Sequence, residues 1–245
     1  MKTGAWAPGD QMNDCLGKNG LSQRDAGVYT GRGTASSLWP CYFSAMDPAA
    51  RLDAALENAR RFFVGEADVQ KALRKLARLL DEDGIPYAIA GAMALNAYGY
   101  QRVTIDVDVL LTRDGLQAFQ TKHLGRGYVQ KGRNGRAMRD TDNGVGIDVL
   151  IAGEYPGDGK KKPVAFPDPG VAVRTGGIAL LPLEKLVELK LASGISAPHR
   201  LKDLADVLEL IRVAKLPAKL ADHLDSSVRE KYRELCQAAQ AAPEE

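Results

Sequence analysis

The chain has 245 residues, 45% hydrophobic and 26% charged, with a formal net charge of +2. That length supports one sizeable core, or a core with a small helical appendage, and the near-balanced charge does not by itself announce a nucleic-acid binder. No run approaches the ~18 apolar residues of a membrane span. Cys15, Cys41 and Cys236 show neither metal-ligand spacing nor a disulfide framework, which favours a reducing cytoplasm.

Residues 1–45 are rich in Gly, Ser, Asn and Thr, without sustained periodicity or the apolar stretch of a signal peptide. They are expected to be a disordered extension, one that a misplaced start codon would also explain, with a functional arm as the alternative. Asp47-Pro48 opens a helical pattern carrying Leu52, Ala55, Leu56 and Ala59 on one stripe. A second helix is predicted over 68–80, with Val69, Leu73, Leu76 and Leu80 on its apolar side. After an Asp83-Gly84 turn, Tyr87–Ala90 reads as a short buried strand and Ala92–Tyr98 as a short helix stopped by Gly99. A strand over Val103–Leu111, a helix at Asp114–His123 and a brief strand at Gly127–Gln130 come next.

Arg136–Asp142 and Val145–Ile151 flank Asn143-Gly144, the signal of a two-residue type I′ hairpin. Gly153–Lys162 reads as a solvated loop, and helices are predicted at Leu183–Ala192, Pro198–Val213 and Ser226–Ala238. The order of elements implies an α/β protein: a mixed sheet flanked by helices over 46–182, then a helical portion over 183–245.

The strand at Val103–Leu111 carries the clearest chemical signal. Val103, Ile105, Val107 and Val109 alternate with Thr104, Asp106 and Asp108, so one sheet face is apolar and the other bears two carboxylates. Like charges on one face repel. A divalent cation held by oxygen ligands is the simplest offset.

The hairpin adds to this. A two-residue turn pairs Asp142 with Val145 and places Arg139 directly across from Asp148. If Val145–Ile151 lies beside the first strand, Asp106, Asp108 and Asp148 converge as three carboxylates suited to Mg²⁺ and a nucleoside triphosphate, with Asp148 able to serve as base.

Gly91 after a short strand, then a small helix, Arg102-x-Thr104-x-Asp106-x-Asp108 and a later strand Asp together resemble the minimal nucleotidyltransferase superfamily. The pattern is most similar to its AbiEii-like branch of nucleotidyltransferase toxins and their bacterial relatives. Lys190 in LEKLVELKLA and Arg200, Lys202, Asp203 and Asp206 in HRLKDLADVLEL extend the likeness, which spans about residues 67–213.

The resemblance implies a nucleotidyltransferase fold that transfers a nucleoside monophosphate from an NTP to an acceptor hydroxyl, with Mg²⁺ or Mn²⁺. Asp106, Asp108 and Asp148 would hold metal, and Gly91 and Ala92 would offer backbone N–H groups to the triphosphate. Lys190 would reach the phosphates, and Arg102, Thr104 and Arg139 would brace the nucleotide, with Arg200, Lys202 and Asp203 in support. For the toxin branch it implies a tRNA or other RNA end as acceptor and a cognate antitoxin protein as partner. One departure stands out: the family commonly has Ser or Gly after the first Gly, where this chain has Ala92, so a hydroxyl contact worth about 0.5–1.5 kcal/mol is missing.

Plainer readings stand beside these. The strand acids could face solvent, Asp148 could simply pair with Arg139, and Lys190 could be an ordinary exposed lysine. Asp203 and Asp206 could favour the first turns of their helix by charge–dipole attraction. Arg126, Lys131, Arg133 and Arg136, with Lys160, Lys161 and Lys162, form basic loops that read either as a solvated face or as a phosphate-backbone surface. His123, His199 and His223 lack ligand spacing, and Gly31-Arg32-Gly33 lacks the strand–turn–helix setting of a dinucleotide fingerprint. Alternatives to an RNA-modifying enzyme are a small-molecule adenylyltransferase of the antibiotic type, transfer to a protein side chain, a non-catalytic nucleotide- or partner-binding protein, and a purely structural protein.

Overall fold

Seven strands form a single mixed sheet in the order β3-β4-β5-β2-β1-β7-β6. A computed structural model describes residues 68–132 and 134–241. The expected N-terminal extension over 1–45 and the helix opening at Asp47-Pro48 lie outside the described residues. Among the described residues no helix is long and apolar enough to cross a membrane.

The first described helix, α1 (68–82), leads through the Asp83-Gly84 turn to β1 (Ala88–Ile89). Helix α2 (Gly91–Ala97) follows, then β2 (Asp106–Leu111) and α3 (Arg113–His123). Thr112 caps α3 by accepting a 2.9 Å hydrogen bond from the Gly115 N–H, an interaction worth about 1 kcal/mol. Strands β3 (Tyr128–Lys131), β4 (Ala137–Asp140) and β5 (Val145–Ile151) complete one half of the sheet. Strands β6 (Val173–Thr175) and β7 (Ile178–Leu180) close the other edge, before α4 (Leu183–Ser196), α5 (Leu201–Val213) and α6 (Ser226–Ala241).

The period of two in β2 and β5 divides the sheet into two unlike faces. Val107, Val109, Ile147, Val149 and Met138 point to one side and bury against Val69, Leu73, Leu76 and Leu80 of α1 and Leu116 and Phe119 of α3. Ala88, Leu110 and Leu181 point to the other side, under Leu186, Val187 and Leu191 of α4, Val207 and Leu210 of α5 and Tyr232 of α6. Complete burial of a Leu or Val side chain stabilises by about 1.5–3 kcal/mol, so both layers hold the sheet firmly.

Three expectations need correction. First, β2 begins at Asp106 rather than Val103: Val103 is exposed and Ile105 is 72% exposed. The ladder with β5 starts at the Asp106–Gly146 pair, which leaves no neighbour on that side to hold residues 103–105 extended.

Second, the hairpin turn has four residues, 141–144, not two. Asp140 pairs with Val145, Met138 with Ile147 and Ala137 with Asp148, which places Arg139 opposite Gly146 and not opposite Asp148. A type I′ turn needs positive φ at both central residues, and here Gly144 is left-handed at 69° whereas Asn143 is not. The wider turn is held by the buried Asp140 carboxylate. It accepts from Asn143 Nδ2 at 2.5 Å and the Asp142 N–H at 3.2 Å, and pairs with Lys75 at 2.5 Å.

Third, β6 and β7 were not anticipated. Their signal was present in Gly176-Gly177, both at positive φ (57° and 82°), which joins Val173–Thr175 to Ile178–Leu180 as a two-residue hairpin.

Candidate active site

Asp106 and Asp108 stand on the same face of β2, and the parallel pairing of Asp108 with Asp148 sets the third carboxylate beside them on β5. Neighbouring strands lie about 4.8 Å apart, so the three acids share one sheet face. The Thr104 hydroxyl donates to Asp106 Oδ1 at 2.6 Å and fixes that carboxylate. Asp108 is pushed up to about 6, chiefly by desolvation, then by the charges of Asp106 and Asp148, against the opposing pull of Lys190 and Arg102. These acids repel each other.

Gly91 is where α2 meets this group. Its φ is +56°, and a Cβ there would stand 1.7 Å from Asp108 Oδ2. Only glycine permits both the left-handed backbone and the approach of the chain to the carboxylate. The Ala90 N–H donates to the Asp108 carbonyl at 2.9 Å and fastens the start of α2 to β2.

A cleft of about 230 Å³ opens over these residues, lined by Gly91, Ala92, Arg102, Thr104, Asp106 and Asp108 on the sheet side and by Lys190, Ser193, Arg200 and Asp203 on the helical side. Leu150, Phe166, Leu181, Leu186 and Leu189 give it apolar walls. Asp148 lies one strand over from this lining. Lys202 and Arg139 are exposed and lie outside it.

The helical wall is an ion-pair network. Asp206, 2% exposed, accepts from Arg102 Nη1 at 2.5 Å and from Lys190 Nζ at 2.7 Å. Lys190, itself 8% exposed, also reaches Asp203 Oδ1 at 3.2 Å. Asp203 Oδ2 takes the Ser193 hydroxyl at 2.6 Å and Arg200 Nε at 3.0 Å. Burial works to raise the Asp203 carboxyl, but Lys190, the Ser193 hydroxyl and Arg200 outweigh it and hold Asp203 below its ordinary value.

Lys190 is therefore no ordinary exposed lysine, and Asp203 and Asp206 do more than favour a helix terminus. Asp206, which joins β2's approach segment to α4, is the residue that sequence reasoning undervalued. The signal was its i+3 spacing from Asp203 on α5, which aims both carboxylates at one neighbour. That neighbour comes close because Gly194 lets α4 press onto α5, where a Cβ would meet Leu204 Cγ at 2.5 Å.

The residues suit a divalent cation by chemistry: all-oxygen donors, mutually repelling, on one face. Among the described residues no group of three or more His, Cys, Asp or Glu side chains is gathered tightly enough to hold a metal ion by itself. Two adjoining carboxylates, Asp106 and Asp108, suit Mg²⁺, which keeps several waters and takes further oxygens from phosphates.

No family model matches the chain, and no curated protein matches it. Among solved structures, the antibiotic-resistance factor ANT(2'')-Ia in solution is 14% identical, with 69% of this chain and 95% of that one covered and a TM-score of 0.46. The same factor in complex with adenylyl-2''-tobramycin is 14% identical, with coverage of 70% and 96% and a TM-score of 0.44. An antigenic nucleotidyltransferase-like protein from Paracoccidioides brasiliensis is 19% identical, with coverage of 70% and 88% and a TM-score of 0.48. Likeness at this level says nothing of activity. The chemistry of the cleft rests on its own residues.

Proposed function

We propose that the protein is a metal-dependent nucleotidyltransferase that moves a nucleoside monophosphate from an NTP to an acceptor hydroxyl. One observation carries this reading: Asp106 and Asp108, with Asp148 one strand over, have no cationic partner among the described residues, and the cleft that Asp106 and Asp108 line also holds Arg102, Lys190 and Arg200. A triphosphate needs cations on one side and, through Mg²⁺, carboxylates on the other. This cleft offers both.

Each residue then has a defined task. Arg102 and Lys190, held by Asp206, and Arg200, held by Asp203, present positive charge to the phosphates from fixed positions. Gly91 and Ala92 bring backbone to the cleft floor, which makes up in part for the missing hydroxyl at position 92. Leu150 and Phe166 supply an apolar wall for the base. Asp106 and Asp108 would hold Mg²⁺, which when bound neutralises charge on the triphosphate and lowers the barrier at phosphorus.

Asp148 accepts the proton of the acceptor hydroxyl as its oxygen forms a bond to the α-phosphorus. The bond from that phosphorus to the pyrophosphate oxygen breaks on the opposite side, and pyrophosphate leaves. The toxin-like form of this reading, with an RNA end as acceptor and an antitoxin as partner, draws on the Arg102–Asp108 and Lys190–Asp206 patterns.

Incubation with radiolabelled NTPs, Mg²⁺ and total RNA tests the proposal. Label in RNA that disappears with Asp106→Asn supports it. Tight NTP binding without transfer to RNA, to small hydroxyl acceptors or to protein would leave a binding protein instead.

A further inference from the structure

Resting on nucleotidyl transfer at the aspartates, we infer that the aspartate face of β5–β4–β3, which no described helix covers, is the acceptor platform, and that it takes the sugar–phosphate chain of a nucleic acid. Among the described residues, two groups of cations flank the carboxylates. Lys190 and Arg200 belong to the helical wall of the cleft, and Arg102 is tied to that wall through Asp206. The second group lies on the sheet itself.

The registers place it. Asp106, Gly146, Arg139 and Val129 form one row across β2, β5, β4 and β3, and Asp108, Asp148, Ala137 and Lys131 form the next. Residues paired across a sheet share a face, so Lys131 and Arg139 stand on the aspartate face. The helical layer packs on β1, β7 and Leu110 of β2, whereas Val129, Lys131 and Arg139 are exposed.

Gly146 gives this surface a floor without a side chain: a Cβ there would have Lys131 Nζ at 3.7 Å and the Asp106 Cβ at 3.8 Å. The lysine ammonium thus lies beside the gap that leads to Asp106. Nearby cations are already engaged, Lys75 by Asp140 and Asp142 and Arg136 by Glu154. Lys131 and Arg139 have no carboxylate partner among the described residues.

Charge and chemistry then select the occupant. The proposed reaction needs a hydroxyl delivered to Asp148, and a nucleic-acid end carries that hydroxyl and its anionic phosphates on one chain. A polycationic small molecule would meet two unpaired positive charges on this side. The one aromatic residue of β3, Tyr128, is buried in the opposite layer, so the platform offers phosphate contacts rather than base stacking. Recognition here is of the backbone, indifferent to base sequence.

The test is fluorescence anisotropy of a labelled single-stranded oligoribonucleotide of about 12 nucleotides, titrated with the whole chain at several salt concentrations. With wild-type protein, affinity should fall with salt. The double variant Lys131→Gln/Arg139→Gln should bind about tenfold or more weakly, its log–log salt slope shallower by about 1.4, and each single variant by about 0.7. Both side chains are exposed, and a melting curve confirms that the variants are folded. Wild-type protein that does not bind the oligonucleotide, or a double variant with unchanged affinity and slope, overturns the platform.

Calorimetric Mg-ATP titration of the same proteins separates the two claims. Equal Mg-ATP binding by wild type and double variant supports a platform distinct from the nucleotide cleft, and weakened binding in the double variant overturns it. Absence of Mg-ATP binding in the wild type defeats the parent reading, while the oligonucleotide titration still decides whether the surface binds nucleic acid.

Discussion

Two sets of aspartates, one on the sheet and one on α5, send Asp106, Asp108 and Asp203 into the cleft, and they are treated in opposite ways. Asp203 and Asp206 on α5 are saturated by Lys190, Arg102, Arg200 and Ser193. Asp106, Asp108 and Asp148 on the sheet receive no lysine or arginine among the described residues, and their mutual repulsion helps push Asp108 up to about 6. A fold that pairs every acid on one wall and none on the other is not short of cations. The helical pair fixes the wall and its positive groups, whereas on the proposed reading the sheet aspartates are left for a metal ion.

Substitution should separate the two sets, most sharply in turnover. Asp106→Asn and Asp108→Asn should reduce label transfer by on the order of 10³-fold or more, while their melting temperatures stay level or rise. Unchanged turnover in both would remove the sheet trio from the chemistry. Asp206→Ala, by contrast, leaves Arg102 and Lys190 buried without their shared partner and should cost about 3–5 kcal/mol in denaturant unfolding. A loss comparable to that at an exposed surface site would mean that the network contributes little.

Dependence on pH sharpens the contrast. The Asp108 carboxyl is raised in the folded state, so its contribution favours folding at pH below about 4 and is lost as pH rises through about 6. Asp108→Asn should therefore stabilise by up to roughly 3 kcal/mol at pH 8, a gain that shrinks towards pH 4. Asp203 is lowered, and the opposite sign applies: its contribution is present at neutral pH and is lost on acidification. Melting curves of Asp108→Asn should rise above wild type as pH goes from 4 to 8, whereas those of Asp203→Asn should lie below wild type at neutral pH and approach it only as pH falls below about 4. The smallest effect is expected at the helix contact that aligns the paired set, where Gly194→Ala should overpack against Leu204 and cost about 1–3 kcal/mol.

Much of this was legible in the sequence where period decides structure. The alternation in Val103–Val109 and Val145–Ile151 set the acids on the polar side of each strand, because a strand's side chains can only alternate, and the β2–β5 pairing brings Asp106, Asp108 and Asp148 onto one face. Glycine punctuation was less reliable. Asn143-Gly144 pointed to a two-residue turn, but the long-range Lys75–Asp140 pair and the Asp140 carboxylate hold a four-residue one, and such partners are invisible to local reading. The two-residue slip kept every side chain on its face, which is why Arg139 moved one row yet stayed beside the acids. Gly176-Gly177 carried a true hairpin signal between strands only three residues long. The roles of Lys190 and Asp206 depend on α4 meeting α5, a tertiary contact that helical periodicity announces only as two apolar stripes.

Thermal melting at pH 7.5 with and without Mg-ATP addresses the central claim most directly. A ligand that binds only the folded state raises stability by mass action, about 2.7 kcal/mol at a concentration of 100 Kd. Wild-type protein should melt higher with Mg-ATP than with ATP and chelator, and Asp106→Asn and Asp108→Asn should lose that increment while remaining folded. An equal increment in wild type and both variants, or one that persists in chelator, would contradict the assignment of the sheet aspartates to a metal–nucleotide site.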